Sequence, residues 1–476
     1  MSSLQPVATP QDDAKFAAAG GRAREADIHS GQAKFAWRLQ DLCANRLMHV
    51  HGLGWHVWDG RRWIPDQRGA ATQYVMEMLR AELADSLGDP SRRKEVRRVE
   101  SASGLKGILD IASSLPRFAV TADDLDADPY LLNTPSGTLD LRTGTLQPAR
   151  PDDRITKVTG GAYRPHERSQ DWERFLEHVL PDREVRGFLQ RLAGLGLLGV
   201  VREHILPIFT GTGANGKGTF DRAFSHALGD YAIAAEPELL MANPGSHPTG
   251  QMDLLGVRWC VVSESDEGRS LAAGTVKRLT GGDPIRARRM RQDFVEFDPS
   301  HTAVLITNHL PKVDGGDPAM WRRLRVVPFD VVISPEEMDK GLDETLRLAA
   351  DAILTWAVQG YQDYADLGGL DEPDSVLAAT AEYREKHDAI GRFLGDDLAV
   401  VRGPSYSTTV SELYARFGEW ARGEIVTVQS RADFTEQLTR HGYTPKRTKK
   451  SRGVLTGIAP VATHDAHGDA VFGATR

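Results

Sequence analysis

Apolar and polar positions change period several times along this chain, and each change marks an element. Around Trp55-His56-Val57-Trp58-Asp59-Gly60-Arg61-Arg62-Trp63 the apolar residues alternate on either side of Asp59-Gly60, which predicts a strand, a turn and a second strand. Helical spacing takes over across 71–86 and again across 91–114, where Ser91 can cap and Arg92, Arg93, Lys94, Arg97 and Arg98 crowd the first turns. Positive charge there opposes the helix macrodipole, so the cluster is either a solvated face or a contact for a partner. Residues 133–146 alternate turn signals with short apolar runs and predict another small sheet. A helical stretch over 171–198, with Phe175, Val179, Phe188, Leu189 and Leu192 on one side, leads to the centre of the chain. Beyond 329 the pattern is helical over 336–367 and 373–394, and Gly403-Pro404-Ser405 reads as a linker.

The last segment has its own signature. Thr409-x-x-Glu412 is a capping box opening a helix with Leu413, Phe417 and Trp420 on one face, and Ser430-x-x-Asp433 opens another with Phe434 and Leu438. Residues 443–447 and 454–458 then flank a loop holding Lys446, Arg447, Lys449, Lys450 and Arg452. Two capped helices and a basic hairpin predict a winged helix, whose second helix enters a groove while its wing meets phosphate. A basic solubilising loop is the other reading.

The chemistry lies between these regions. A short apolar strand over 205–210 runs into Gly211-Thr212-Gly213-Ala214-Asn215-Gly216-Lys217-Gly218-Thr219-Phe220. Glycines that let backbone N–H groups curl around phosphate, a lysine to reach the β and γ phosphates, and a helix N-terminus behind them are the parts of a phosphate loop. Gly211-x-Gly213-x-x-Gly216 also fits a dinucleotide fingerprint, with Glu236 where a ribose-binding acid is wanted. Lys217 favours a nucleoside triphosphate, because a dinucleotide has no γ phosphate for it to neutralise. Gly218 stands where a magnesium-facing hydroxyl is usual, so Thr219 or water supplies it. A second apolar strand, 257–262, ends in Ser263-Glu264-Ser265-Asp266-Glu267, and Glu264 is the acid placed to hold magnesium or orient water. A third, 303–307, ends at Asn308, placed to contact both γ phosphate and water. Arg286, Arg288, Arg289 and Arg291 crowd the tip of a predicted β-hairpin that suits a phosphodiester backbone. In Trp321-Arg322-Arg323-Leu324, Arg323 is the candidate finger for a neighbouring subunit's γ phosphate, with a structural ion pair as the bland reading.

Composition narrows the class. The 476 residues carry 58 Lys and Arg against 66 Asp and Glu, a net charge of −8, so any polyanion must be met by local basic patches. Cys43 and Cys260, far apart and outside any CxxC pattern, exclude a disulfide framework and a cysteine-based zinc site, which points to a reducing compartment. No apolar run approaches the roughly 18 residues needed to span a bilayer, so no membrane partner is expected.

From about residue 133 to 458, the order of elements resembles the phage- and plasmid-encoded primase-helicase family of the poxvirus helicase-primase type, whose motor belongs to the superfamily three helicases. Residues 211–220 resemble the family phosphate loop with its Asn-Gly-Lys, and 261–264 the Walker B strand. Residues 277–288 resemble the intermediate motif, 304–311 the sensor, 321–329 the arginine-finger segment, and 133–146 the domain preceding the motor. Glu264 departs from the pattern, since Ser263 and Ser265 flank it where the family commonly has two adjacent acids. The resemblance implies an ATP- and Mg2+-dependent hexameric ring moving 3′ to 5′ on single-stranded and forked DNA in a bacterial host's cytoplasm, alongside a separate primase. A priming domain is not expected, because 31–165 is already filled by the pre-motor domain. The expected fold class is α/β: an AAA+ P-loop ATPase core with an N-terminal α+β domain and a C-terminal winged-helix domain. Its layout is a disordered arm (1–30), pre-motor domain (31–165), helical linker or collar (166–200), motor (201–335), helical subdomain (336–400), winged helix (405–460) and flexible tail (461–476). An ATP-switched DNA-binding initiator without processive unwinding is the alternative, and a dinucleotide-dependent enzyme is a more distant one.

Overall fold

A computed structural model describes residues 28–242, 248–264, 266–288, 294–313, 317–424, 428, 430–447 and 452–461. Most of the arm and tail lies outside them. At the centre, five parallel strands stand in the order β14 (Leu324–Pro328), β8 (Leu206–Thr210), β13 (Thr302–Thr307), β10 (Trp259–Glu264) and β9 (Ala232–Ala235). Their apolar composition follows from burial on both faces, the condition of a parallel sheet covered by helices. Trp259, Val261, Val304, Phe209 and Val327 point to one layer, and Cys260, Val262, Ala303, Leu305, Ile208 and Val326 to the other.

The first layer is covered by α5 (Gln170–Val179), α6 (Arg183–Leu195), α7 (Lys217–Leu228), α10 (Leu342–Leu348) and α11 (Ala350–Leu367). The expected boundaries at 165, 200 and 336 therefore cut through one core. Trp172, Phe188, Phe220, Ile353 and Tyr361 share it, together with Leu132, Leu139 and Leu141 of the small sheet β5 (Leu131–Thr134), β6 (Gly137–Asp140) and β7 (Thr145–Gln147). The 171–198 stretch is two helices, because Pro181 follows α5 and Asp182 accepts from Glu184 N–H to start α6. Likewise no helix begins at 336; helical structure starts at α10.

The N-terminal unit packs α1 (Gly31–Cys43), α2 (Ala70–Asp85), α3 (Pro90–Val99) and α4 (Ala102–Ala112) around Phe35, Leu39, Val75, Leu79, Val96, Ile108 and Phe118. Its sheet is β3 (Trp63–Pro65), β2 (Gly54–Trp58), β1 (Leu47–Val50) and β4 (Ala119–Val120), and the hairpin expected at Asp59-Gly60 joins β2 to β3. The cap of the arginine-rich helix is Asp89, not Ser91: Pro90 occupies the first turn and the Asp89 carboxylate accepts from Ser91 and Arg92 N–H. Ser101 then caps a separate α4. Arg258, 2% exposed, ties the small sheet to the segment after α6, donating to the carbonyls of Leu131 and Leu197 while its guanidinium lies 4.6 Å from the Tyr231 ring centroid.

After α12 (Asp374–His387), the C-terminal unit begins earlier than expected. α13 (Ala389–Gly395), β15 (Val400–Thr409), α14 (Val410–Gly423), α15 (Arg431–Arg440), β16 (Lys446–Arg447) and β17 (Arg452–Pro460) share a core of Ile390, Phe393, Leu413, Phe417, Phe434, Leu438, Leu455 and Ile458. Its sheet order is β15-β17-β16. Gly403-Pro404-Ser405 is not a linker: it lies inside β15, where the register with β17 shifts between Arg402 and Ser407. A bulge accommodates a proline, which cannot donate to the ladder. Among the described residues no helix is long and apolar enough to cross a membrane.

Candidate phosphate-binding site and nucleic-acid interface

The carboxyl ends of three strands finish level. Glu264 pairs with Thr307, and Thr307 with Thr210, so the acid, the residue before Asn308 and the residue before Gly211 form one row across β10, β13 and β8. The loop leaving β8 then turns back to start α7 at Lys217. Gly213 and Gly216 have φ of +104° and +83°, a region open to glycine, and Ala214 is held at +46°. A Cβ on Gly216 would lie 2.5 Å from Val179 Cγ1, so the loop rests directly on the end of α5.

Lys217, only 4% exposed, directs its ammonium back into the loop. Nζ donates to Gly211 O (2.9 Å), Asn215 Oδ1 (3.0 Å) and Asn308 Oδ1 (3.2 Å), which uses all three of its protons. Burial pushes its pKa below the ordinary lysine value. Asn215 in turn donates through Nδ2 to Phe329 O (3.1 Å), tying the loop to the end of β14. The structure thus brings together Gly211, Asn215, Lys217 and Asn308. Thr212, Gly213, Ala214 and Gly216 complete the turn around them, and Gly218 lies in the first turn of α7.

Glu264 is 6% exposed. Oε1 accepts from Asp266 N–H (2.8 Å), while Oε2 lies 3.1 Å from Arg269 Nη1 in an ion pair without hydrogen-bond alignment. That oxygen keeps an unused lone pair, which fits a cation ligand. Asp266 and Glu267 are exposed. Arg269 also pairs with Glu238 (3.2 Å), and nothing in the spacing of the sequence marks it as Glu264's partner.

Two candidate residues have partners elsewhere in the fold. Thr219 Oγ1 accepts from Arg222 Nη2 (3.2 Å), which also pairs with Asp343. A guanidinium thus faces each candidate, Arg222 at Thr219 and Arg269 at Glu264; of the two, only Glu264 brings a buried anionic oxygen that accepts no hydrogen bond. Arg323 is 8% exposed, donates through Nε to Thr280 Oγ1 (3.1 Å) and through Nη1 to Ala319 O (2.7 Å), and has its pKa lowered by burial. Its guanidinium is built into the fold, whereas the neighbouring Arg322 is exposed. Both sit at the amino end of β14, where Leu324 pairs with Leu206, four residues from Thr210 and thus about 13 Å from the loop's edge of the sheet. The dinucleotide reading also fails on topology. Glu236 follows β9, three strands from β8, whereas a ribose-binding acid belongs on the strand next to the glycine-rich turn.

The basic hairpin is present. β11 (Ile285–Ala287) and β12 (Val295–Phe297) pair antiparallel, with Ile285, Ala287, Val295 and Phe297 buried and Arg286 and Arg288 exposed. Arg289 and Arg291 lie outside the described residues. In the C-terminal unit, Lys446 and Arg447 are exposed on β16, while Lys449, Lys450 and the Arg452 side chain lie outside the description. On α15 the exposed charges nearly cancel: Arg440 pairs with Glu436 (2.6 Å) and Asp433 accepts from Ser430.

Residues 36–181 match the family described as D5 N terminal like, and residues 209–323 match one described as a family of unknown function. The chain is 28% identical over 377 residues, 74% of its length, to a helicase-named protein of Acanthamoeba polyphaga mimivirus. It is 28% identical over 270 residues, 52% of its length, to a helicase-named protein of Frog virus 3. A primase-named protein of African swine fever virus is 23% identical over 349 residues, 67% of the chain. The chain spans 39%, 27% and 36% of these relatives' lengths. Among solved structures, the apo C terminal region of NrS-1 aligns over 87% of this chain and 96% of that one, at 11% identity and a TM-score of 0.46. The protein therefore carries a D5 N terminal like region and is similar, over part of their length, to helicase- and primase-named proteins of DNA viruses.

Proposed function

We propose that this protein is an ATP-hydrolysing DNA helicase motor for replication of a phage, prophage or plasmid, with an AAA+ core that works as a hexameric ring. The observation that carries the reading is the Lys217 cluster: a buried ammonium held by loop and sensor oxygens, level with a buried carboxylate on a parallel sheet of order 5-1-4-3-2. That order inserts the Asn308 strand between the phosphate-loop strand and the acid strand, so the strand ends that carry the loop, the amide and the acid stand side by side.

ATP phosphates would lie on the N–H groups of 211–217, at the positive end of α7, with Lys217 neutralising charge that builds on the γ phosphate. Glu264 is the residue that would hold Mg2+ or orient water; the metal, when bound, would supply charge neutralisation for the phosphates. Asn308, already joined to Lys217, would sense whether a γ phosphate is present. Arg322, exposed at the end of β14 away from its own loop, would take the finger role expected of Arg323. The Asn215 link to Phe329 makes β14 a strut between the two sites. The C-terminal unit has the helix-strand-helix-helix-strand-strand order of a winged helix, with α13 as its first helix, and its wing would hold duplex phosphates. Priming is assigned to a separate protein.

The test is ATP hydrolysis with and without single-stranded DNA, alongside unwinding of a forked duplex. Lys217→Ala should abolish both activities; wild-type turnover would remove the phosphate-loop assignment, and DNA-stimulated hydrolysis without unwinding would favour the initiator reading.

A further inference from the structure

The outward face of the β11–β12 hairpin carries an aromatic residue that the motor's fold does not use. Arg286 pairs with Glu296 and Ala287 with Val295, so Arg288 and Phe294 come next toward the tip. Phe294 is 48% exposed, while Phe209, Phe220, Phe224, Phe297 and Phe329 are buried. The Arg286 and Arg288 guanidinium carbons lie 4.9 and 4.6 Å from its ring centroid. Among the described residues neither guanidinium has an ion pair or hydrogen bond, although Glu296 lies across the ladder from Arg286. About half of the ring is left in water, and the attraction of each guanidinium to the ring is set against the repulsion between the two like charges. A ligand that covers the ring and neutralises both cations removes the exposure and the repulsion together.

We infer that Phe294 is a stacking platform for a nucleobase of single-stranded nucleic acid, with Arg286 and Arg288 holding the phosphates on either side of that base. The inference rests on reading this hairpin as the nucleic-acid-facing element. A base and a guanidinium both stack on an aromatic face, so an arriving base can exchange with one arginine, which moves to the adjacent phosphate. Every base has such a face, so the contact is tolerant of sequence. In a duplex the bases are stacked on each other, so the platform selects single strands. The buried side of the hairpin, packed with Met252, Leu254, Val276 and Leu279, holds the ring in place.

The test uses the full chain and fluorescence anisotropy with two labelled strands of equal length, oligothymidylate and an abasic phosphodiester, across a salt series. Phe294→Ala and Phe294→Leu should weaken oligothymidylate binding about tenfold, leaving the salt slope and the abasic strand unaffected. Phe294→Trp should retain full affinity, which separates stacking from misfolding. Arg286→Gln combined with Arg288→Gln should lower the salt slope by roughly 0.7 per lost contact on both strands. Equal losses on both strands for the Phe294 variants, or no loss on either, overturn the platform while leaving a basic grip. An unchanged slope in the double arginine variant takes the hairpin off the DNA path and overturns the reading beneath the inference.

Discussion

Replacing Arg323 with alanine should damage the fold, and replacing Arg322 should damage the chemistry, although the two are adjacent in sequence. The Arg323 guanidinium is buried and donates to Ala319 O at 2.7 Å and Thr280 Oγ1 at 3.1 Å. Hydrogen bonds from a charged donor contribute about 1.5–3 kcal/mol each. Burial of the charge, visible in its lowered pKa, offsets part of that gain. A net loss of about 2–4 kcal/mol remains, which lowers the melting temperature by about 5–15 °C in a unit of this size. Arg322 is exposed, with no ion pair or hydrogen bond to its side chain among the described residues. Its removal should move stability by less than about 0.5 kcal/mol, yet reduce ATP hydrolysis by a finger's worth, about 10³-fold or more. Calorimetric melting and steady-state hydrolysis separate the two effects. Mixing Arg322→Ala with Lys217→Ala protein should restore activity, since a mixed junction has one intact loop and one intact finger. An Arg323→Ala protein with the parental melting temperature, inactive alone and rescued by mixing, would refute the assignment made from burial.

Three further outcomes are expected. Glu264→Gln should bind ATP but hydrolyse it at least about 10²-fold more slowly, whereas Asp266→Asn, on an exposed loop, should hydrolyse it normally; the reverse pattern in a turnover assay would move the catalytic acid. Lys446→Ala with Arg447→Ala should weaken duplex binding and reduce the slope of log affinity against log salt by about 0.9 per lost contact, and an unchanged slope would take the wing off DNA. His441 and Asp388 pair at 3.3 Å between α15 and the start of α13. The Asp388 hydrogen bond raises the His441 pKa, while burial alone would raise that of Asp388 but His441 and Gly391 N–H carry it down. Stability from the histidine is fully present below its ordinary value of 6.5 and lost as pH rises through the raised one; stability from the aspartate is lost only as pH falls through its depressed value. His441→Gln should therefore lower the C-terminal melting transition at about pH 6, by under about 1 kcal/mol for so exposed a pair, and leave it unchanged at about pH 9. Equal shifts at both pH values would show that the pair contributes no linkage.

Local chemistry was legible wherever neighbours in sequence are neighbours in space. Glycines at positive φ, Lys217 opening a helix, the capping box at Thr409 and Glu412, and the alternating faces of the arginine hairpin each obey short-range backbone rules. The sequence also placed Asn308 and Glu264 at strand ends, because apolar runs of that length stop where the sheet meets water. Tertiary structure alone decided which strand lies beside which, and that order put Asn308 on Lys217 and removed Glu236 from the site. It decided as well that Arg323 is buried and Arg322 exposed, since adjacent residues leaving a helix point in opposite directions and only the packed core says which way is in. Domain limits were hidden for the same reason. An amphipathic helix announces that it has an apolar face, but whether that face meets its own hairpin or a sheet over 80 residues away depends on long-range packing, which leaves no local mark on 171–198 or on the proline-containing bulge of β15.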